Sequence, residues 1–550
     1  MVNLSILFIS LFITVVMVPF FRRLAYKLNA LDEPDDRKIH VRPMARTGGL
    51  AMAVGALVPL VLWAPPKASL HYMLFAATII VVAGFIDDLV GLGHWAKFGS
   101  QLLAAIVIVF YGGINIKSLG TLLPDGWLLS DWFAVPLTII AVVGVTNAIN
   151  LSDGLDGLAG GISILTFMVL GYLGFQVANP VVVMVAAAVV GAIFGFLRYN
   201  TYPATIFMGD AGSQLLGFMA IVLAIELTQK NVALSPLLPL MLLGFPILDT
   251  LTVMLARIYH GRSPFAADKN HFHHKLMRLG LYHSESVLVI YLLQLMMVLT
   301  AYSLRYCSDW LILGGSLGFA ALVTLFFYLS GHFQWRLQRR ELGTYGTFKK
   351  QLAELNKLTM LLKYLFRLLQ VNFALVLLII ILPVDVIPGW IAGLGAGFAG
   401  LLVVSMIKQI KYYDLILRIA IYLTLPALVY LGAAHTCHSS ICVWCESKIV
   451  CGAVFVSLIL LSLLLLKFTR RSGYKSTPLD FLVLVVAILV PKIIPESMTG
   501  VSMGMVVVRI IAVFFAFEVV IEESRGRNRW LEIVVLAAMV CIGLKWLISS

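Results

Sequence analysis

Apolar runs long enough to cross a bilayer, about 20 residues as helix, recur along the whole chain with short polar segments between them. Eleven spans are expected near 3–21, 47–64, 69–86, 98–113, 132–149, 157–177, 180–197, 211–229, 235–256, 286–306 and 310–330. About seven more are expected near 371–388, 390–407, 415–433, 449–466, 478–494, 501–521 and 530–548. Alternating strand-like segments are absent, so the expected class is an all-α polytopic membrane protein. The first run, Leu4 to Phe21, lacks a basic leader and a small-residue cleavage site, and reads as a retained span.

Three domains follow from this spacing: a core at 1–330, a basic, amphipathic, helical linker at 331–370 and a multi-span domain at 371–550. Composition agrees, with 61% hydrophobic and 12% charged residues. With the N-terminus outside, 32 of the 40 Lys and Arg fall in inner segments and 6 in outer ones. Positive charge gathers on the cytoplasmic side of membrane proteins, so this split orients the bundle. The formal charge of +13 then reflects orientation and attraction to anionic membrane lipids, not nucleic-acid binding.

That orientation brings four polar segments to the cytoplasmic ends of spans. Asp87-Asp88 follows Gly84 and precedes Lys97; the bland reading is a solvated loop, the functional one a carboxylate pair tuned towards general-base duty. Asn147, Asn150, Asp153 and Asp156 recur every three residues among glycines, as a capped polar turn or as oxygen ligands for Mg²⁺ and acceptors for a nucleotide. Asp210, in Phe207-Met208-Gly209-Asp210, suits an N-cap and a metal ligand equally. Arg262, His271, His273 and His274 lie in a basic loop with Asp268 and Lys269; no familiar zinc spacing completes the histidines, and phosphate clamping fits better than an ordinary inner loop. A polytopic transporter or a lipid-linked-sugar translocase is the rival reading, but transporters place acids near the midplane.

In this order the four segments resemble the polyprenyl-phosphate N-acetylhexosamine-1-phosphate transferases, over about residues 1–330. The nearest resemblance is to the bacterial branch that starts O-antigen, enterobacterial common antigen and teichoic-acid linkage units. The resemblance implies transfer of a sugar-1-phosphate, by default GlcNAc-1-phosphate, from a UDP-N-acetylhexosamine to undecaprenyl phosphate with release of UMP. It implies Mg²⁺, or Mn²⁺ in its place, held by Asn150 and Asp210, and Asp87 as base or nucleophile beside Asp88 and Lys97. Phe207 matches an aromatic that stacks on uracil, and Asp156 a uridine contact; Asn147 and Asp153 belong to the same nucleotide-sugar region. His271, His273 and His274, with Arg262, match the loop around the diphosphate or sugar. The implied location is the bacterial inner membrane with the site facing the cytoplasm; a homodimer is compatible with it.

The last 40% of the chain departs from that family. Arg509 and Glu518 in one expected span need partners or a bundle interior. Cys437, Cys442, Cys445 and Cys451 form a cluster that suits a disulfide, free buried thiols or, through Cys442-x-x-Cys445, a redox pair.

Overall fold

A computed structural model describes residues 2–33, 43–63, 67–124, 126–231, 233–263, 270–333, 335, 356–384, 387–408, 413–434, 448–468, 503–524 and 528–549. Thirteen described helices are long and apolar enough to cross a membrane. The protein is an all-α multi-pass membrane protein whose helices fall into two compact units, one up to His332 and the other from Asn356.

The first unit comprises α1 (Val2–Leu28), α2 (Gly48–Trp63), α3 (Ala68–Val90), α4 (His94–Ile106), α5 (Asp131–Ser152), α6 (Leu158–Gln176) and α7 (Pro180–Asn200). These are followed by α8 (Gly209–Gln229), α9 (Leu238–Leu242), α10 (Gly244–Tyr259), α11 (Phe272–Arg278), α12 (His283–Leu304) and α13 (Asp309–His332). A short antiparallel pair, Leu31–Asp32 with Met44–Ala45, sits between α1 and α2. The expected span at 98–113 is α4 continued by a π-helical turn, Val107–Tyr111. The expected span at 235–256 is broken instead into α9 and α10, because Leu243 leaves helical geometry (φ −111°, ψ 18°) between Pro239 and Pro246.

At the centre stands α8, packed against α2, α3, α5 and α6 and buried along its apolar length. Small residues allow this closeness. A Cβ at Gly84 of α3 would lie 2.6 Å from the Ala211 Cα of α8. With no hydrophobic force between helices inside lipid, such backbone approach supplies the packing. It also fixes register: Asp87 and Asp88, one turn beyond Gly84, arrive beside Asp210.

The second unit comprises α14 (Asn356–Ile381), α15 (Gly389–Lys408), α16 (Tyr413–Ala434), α17 (Lys448–Phe468), α18 (Met503–Glu523) and α19 (Arg529–Ser549). The linker does not end where expected: α14 runs from Asn356 straight into the span, since Leu362, Leu365, Phe366 and Leu369 pack at helical spacing past Lys363 and Arg367. It stops at Ile381, two residues before Pro383. Glu518 pairs with Arg418 of α16, and Arg509 lies 5.6 Å from the centre of the Phe455 ring. The expected span at 478–494 and the side chains of the cysteine cluster lie outside the described residues.

Candidate active site

The C-terminal end of α3, the start of α4, the end of α5 and the start of α8 meet at one end of the first unit. Asp87 and Asp88 are 5% and 8% exposed. Lys97, the last residue of α4's first turn, pairs with both Asp87 and Asp210, its Nζ 2.8 Å from Asp210 Oδ2. The Leu92 backbone N–H donates to Asp87 Oδ1 at 2.6 Å, which holds that carboxylate with its second oxygen on Lys97. Asn150 Nδ2 donates to Asp210 Oδ1 at 2.6 Å and to Ser213 Oγ at 2.9 Å. Residues up to 126 apart in the chain, Asp87 and Ser213, thus share one hydrogen-bonded cluster.

Adjacent acids do different work here. Both oxygens of Asp88 accept backbone N–H groups at the start of α8, from Asp210 (3.0 Å) and Ala211 (3.2 Å). Asp88 therefore caps α8 from a neighbouring helix and helps set the position of Asp210. Met208, the residue at the N-cap, makes no side-chain cap bond, which leaves Asp210 in the first turn with its carboxylate turned to Lys97 and Asn150. Gly209 supplies the left-handed turn (φ 72°), and a Cβ there would meet Asp88 Oδ2 at 2.5 Å.

One turn below Asn150, Asn147 is engaged by amides. Its Nδ2 donates to Gln101 Oε1 at 2.6 Å, and Gln101 Nε2 donates to Gln214 Oε1 at 3.0 Å. This ties Asn147, behind Asn150, to the amides of α4 and α8. The next loop carries Asp153 and Asp156. Burial, then the nearby charges of Asp210 and Asp156, push the half-buried Asp153 carboxyl up to about 7. Asp156 Oδ2 accepts the Ala204 N–H at 2.9 Å, while its own N–H donates to His283 Nε2 at 3.1 Å. Phe207, half-buried, is fixed by its backbone: its N–H donates to Ala45 O at 2.8 Å, and its carbonyl accepts from Gly48 at 3.0 Å.

The histidine segment docks through α10. Asp249, 2% exposed, accepts the Phe272 N–H at 2.8 Å and meets His271 Nδ1 at 3.0 Å. The His271 and His273 rings stack 5.9 Å apart, and His273 and His274 lie 4.2 Å apart. A Cβ at Gly154 would fall 2.5 Å from His273 Nε2, so this ring rests on the loop that holds Asp153 and Asp156. Burial and then the neighbouring His274 hold His273 down at about 3. It is neutral at physiological pH and offers one ring N–H donor and one acceptor nitrogen rather than a positive charge. Arg262 is exposed just past α10, and among the described residues no side-chain contact joins it to the cluster. Asp268 and Lys269 lie outside the described residues.

Further partners that spacing alone does not point to are Gln214, Asp249, His283 and Arg46, which follows the second short strand. Arg46 pairs with Asp32 while the backbone beside it zips to Phe207 and Met208.

Chemically, two carboxylates share one ammonium at Asp87, Lys97 and Asp210, so the cluster retains negative charge from hard oxygen donors. That donor set suits Mg²⁺, which takes few protein ligands and completes its shell with water and substrate oxygens. Among the described residues no three His, Cys, Asp or Glu side chains form a closed cage for a metal.

Residues 70–228, which include Asp87, Lys97, Asn150 and Asp210, match the family described as Glycosyl transferase family 4. The chain is 38% identical over 315 residues to a probable undecaprenyl-phosphate N-acetylglucosaminyl 1-phosphate transferase of Bacillus subtilis (strain 168), covering 56% of this chain and 87% of that protein. It is 35% identical to a decaprenyl-phosphate N-acetylglucosaminephosphotransferase of Mycobacterium leprae (strain TN), over 49% of this chain and 75% of the relative. It is 30% identical to an undecaprenyl-phosphate alpha-N-acetylglucosaminyl 1-phosphate transferase of Escherichia coli (strain K12), over 59% of this chain and 89% of the relative. With relatives aligned along most of their own length, this chain belongs to glycosyl transferase family 4 and is a membrane phosphoglycosyltransferase.

Proposed function

We propose that this enzyme transfers N-acetylglucosamine-1-phosphate from UDP-N-acetylglucosamine to undecaprenyl phosphate and releases UMP, starting a cell-envelope polysaccharide at the cytoplasmic face of the inner membrane. The observation that carries this reading is Lys97 held between Asp87 and Asp210, with Asn150 on the far side of Asp210. An oxygen of the lipid phosphate attacks the β-phosphorus of the nucleotide sugar. The bond from that phosphorus to the bridging oxygen breaks, and UMP leaves with the bridging oxygen.

Asp87 takes the remaining proton of the lipid phosphate, within reach of the membrane surface at the end of α3. Lys97 lies where negative charge accumulates, and its ammonium offsets that charge. Asp210, with the amide oxygen of Asn150, would hold Mg²⁺. The ion, when bound, neutralises the diphosphate and withdraws charge from the reacting phosphorus. Asp88 and Gly209 keep Asp210 in place through the backbone. Phe207 and Asp156 border the region assigned to uridine, and His271 and His273, set by Asp249 and Gly154, border the region assigned to the sugar. The test is incubation of the purified full-length protein with undecaprenyl phosphate, Mg²⁺ and a panel of UDP-sugars. Stoichiometric UMP and a lipid diphosphate sugar from UDP-N-acetylglucosamine are expected; UMP from none of the sugars would refute the reading.

A further inference from the structure

The opposite end of α8 carries a second buried carboxylate. Glu226 lies 16 residues after Asp210, roughly 24 Å along the helix axis, and is 4% exposed. Its Oε1 accepts from Lys230 Nζ at 2.7 Å, while Oε2 is shielded from solvent and has no hydrogen-bond partner. Two cavities meet on this residue. One, of about 150 Å³, is also lined by Asn115, Lys117 and Lys230. The other, of about 250 Å³, is also lined by Lys67, Ser69 and Lys230. Asn115 Oδ1, on the first cavity, is likewise shielded and unpartnered.

Both unmet atoms are acceptors, so a ligand that satisfies them brings donors. The charge around them selects the kind of donor. Glu226 is already matched by Lys230, Lys117 is matched by Asp131 at 3.0 Å, and Lys67 adds a further positive charge. An ammonium would be repelled by this rim, whereas hydroxyl donors carried on an anion suit both parts of it. The position supplies the source. The cavities lie where helices end, with Lys67 at the start of α3 and Lys230 just past the end of α8, and Tyr72, in the second turn of α3, stands exposed as aromatic residues do at the headgroup level.

We propose that this pocket binds the headgroup of a glycerol-bearing anionic phospholipid on the leaflet opposite the active site. The phosphodiester meets Lys67 and Lys230, and the glycerol hydroxyls donate to Glu226 Oε2 and Asn115 Oδ1. A soluble glycerol phosphate carries the same groups, so the test separates the two. Full-length protein stripped of lipid in detergent is mixed with equal amounts of phosphatidylglycerol, phosphatidylethanolamine and phosphatidylcholine and read by native mass spectrometry. Phosphatidylglycerol should be retained about tenfold over the other two, as expected for a basic headgroup pocket. Asn115→Leu and Glu226→Gln, each checked for a monodisperse, folded protein, should bring retention to parity. Glycerol phosphate at the same concentration should not displace the lipid. Equal retention of all three lipids by the unaltered protein, an undiminished preference in Asn115→Leu, or displacement by glycerol phosphate would each overturn the proposal.

Discussion

In the first unit Lys97 stands against two carboxylates, Asp87 and Asp210, and the three retain negative charge at the end of the bundle. In the second unit Glu518 takes two donors from Arg418, Nε to Oε1 at 2.9 Å and Nη2 to Oε2 at 2.8 Å, and also the Tyr422 hydroxyl. The second arrangement is a matched bidentate pair whose geometry consumes its own charge. The first has charge to spare. Both place ionised groups inside an apolar helix bundle, where they are costly. The difference separates a group that fastens helices from one that meets a substrate, and it predicts opposite responses to mutation.

The sharpest break should come from Asp210→Asn. It keeps the side chain's shape but turns one of two acceptor oxygens into a donor and removes a charge that Lys97, Asn150 and the proposed Mg²⁺ all use. Turnover should fall by at least about 1000-fold in a monodisperse protein, as for loss of a main electrostatic stabiliser. Retained turnover at limiting Mg²⁺ would remove Asp210 from the site. Asp249→Asn should act more mildly, since it touches substrate only through His271 and the start of α11. A fall of about tenfold, felt mainly in KM for the nucleotide sugar, is expected for a positioning residue; an unchanged KM with intact fold would detach the histidine segment from binding.

A third test uses pH. The Asp153 carboxyl is raised to about 7 in the folded protein from the ordinary 3.8. The unfolded chain therefore loses this proton first, and stability declines as pH rises between about 4 and 7, then levels off. Asp153→Asn should lack that decline, so its thermal midpoint at pH 8 should gain on the unaltered protein, measured by light scattering or intrinsic fluorescence. An identical pH dependence in both proteins would show that Asp153 is ionised throughout. The smallest effect on catalysis belongs to Arg418→Met. It should destabilise the second unit by about 2 kcal/mol, as for loss of charged hydrogen bonds, and change transfer by less than about twofold. A large loss of transfer would tie Arg418 to the chemistry of the first unit.

Much of this arrangement was legible from hydropathy and spacing. The runs that become α3, α5 and α8 announce themselves, and their acids all fall at ends that one topology brings together. What could not be read was which neighbour each acid would meet. Asp87 and Asp88 are adjacent and chemically identical, yet a helix turns about 100° per residue, so one faces Lys97 and the other the first turn of α8. Asp249 reads as a lone acid in an apolar run. Its partners His271 and Phe272 come 22 and 23 residues later and return only because α11 folds back onto α10. The break at Leu243 was hidden because hydropathy averages over 235–256, whereas proline spacing acts locally. Arg418 falls at the basic edge of the expected span 415–433, and only the packing of α16 against α18 reveals Glu518 as its partner.

The central claim is that Asp87 and Lys97 belong to one cluster and act together. A double-mutant cycle in kcat/KM tests it directly, using Asp87→Asn, Lys97→Ala and the two combined in the purified full-length enzyme. Each single change should cost on the order of 100-fold, typical of removing one participant in proton transfer or charge stabilisation. If the two act as a unit, the combined variant should fall no more than about tenfold below the worse single variant. A combined loss equal to the product of the two, about 10,000-fold, would mean that they act independently and would contradict the account.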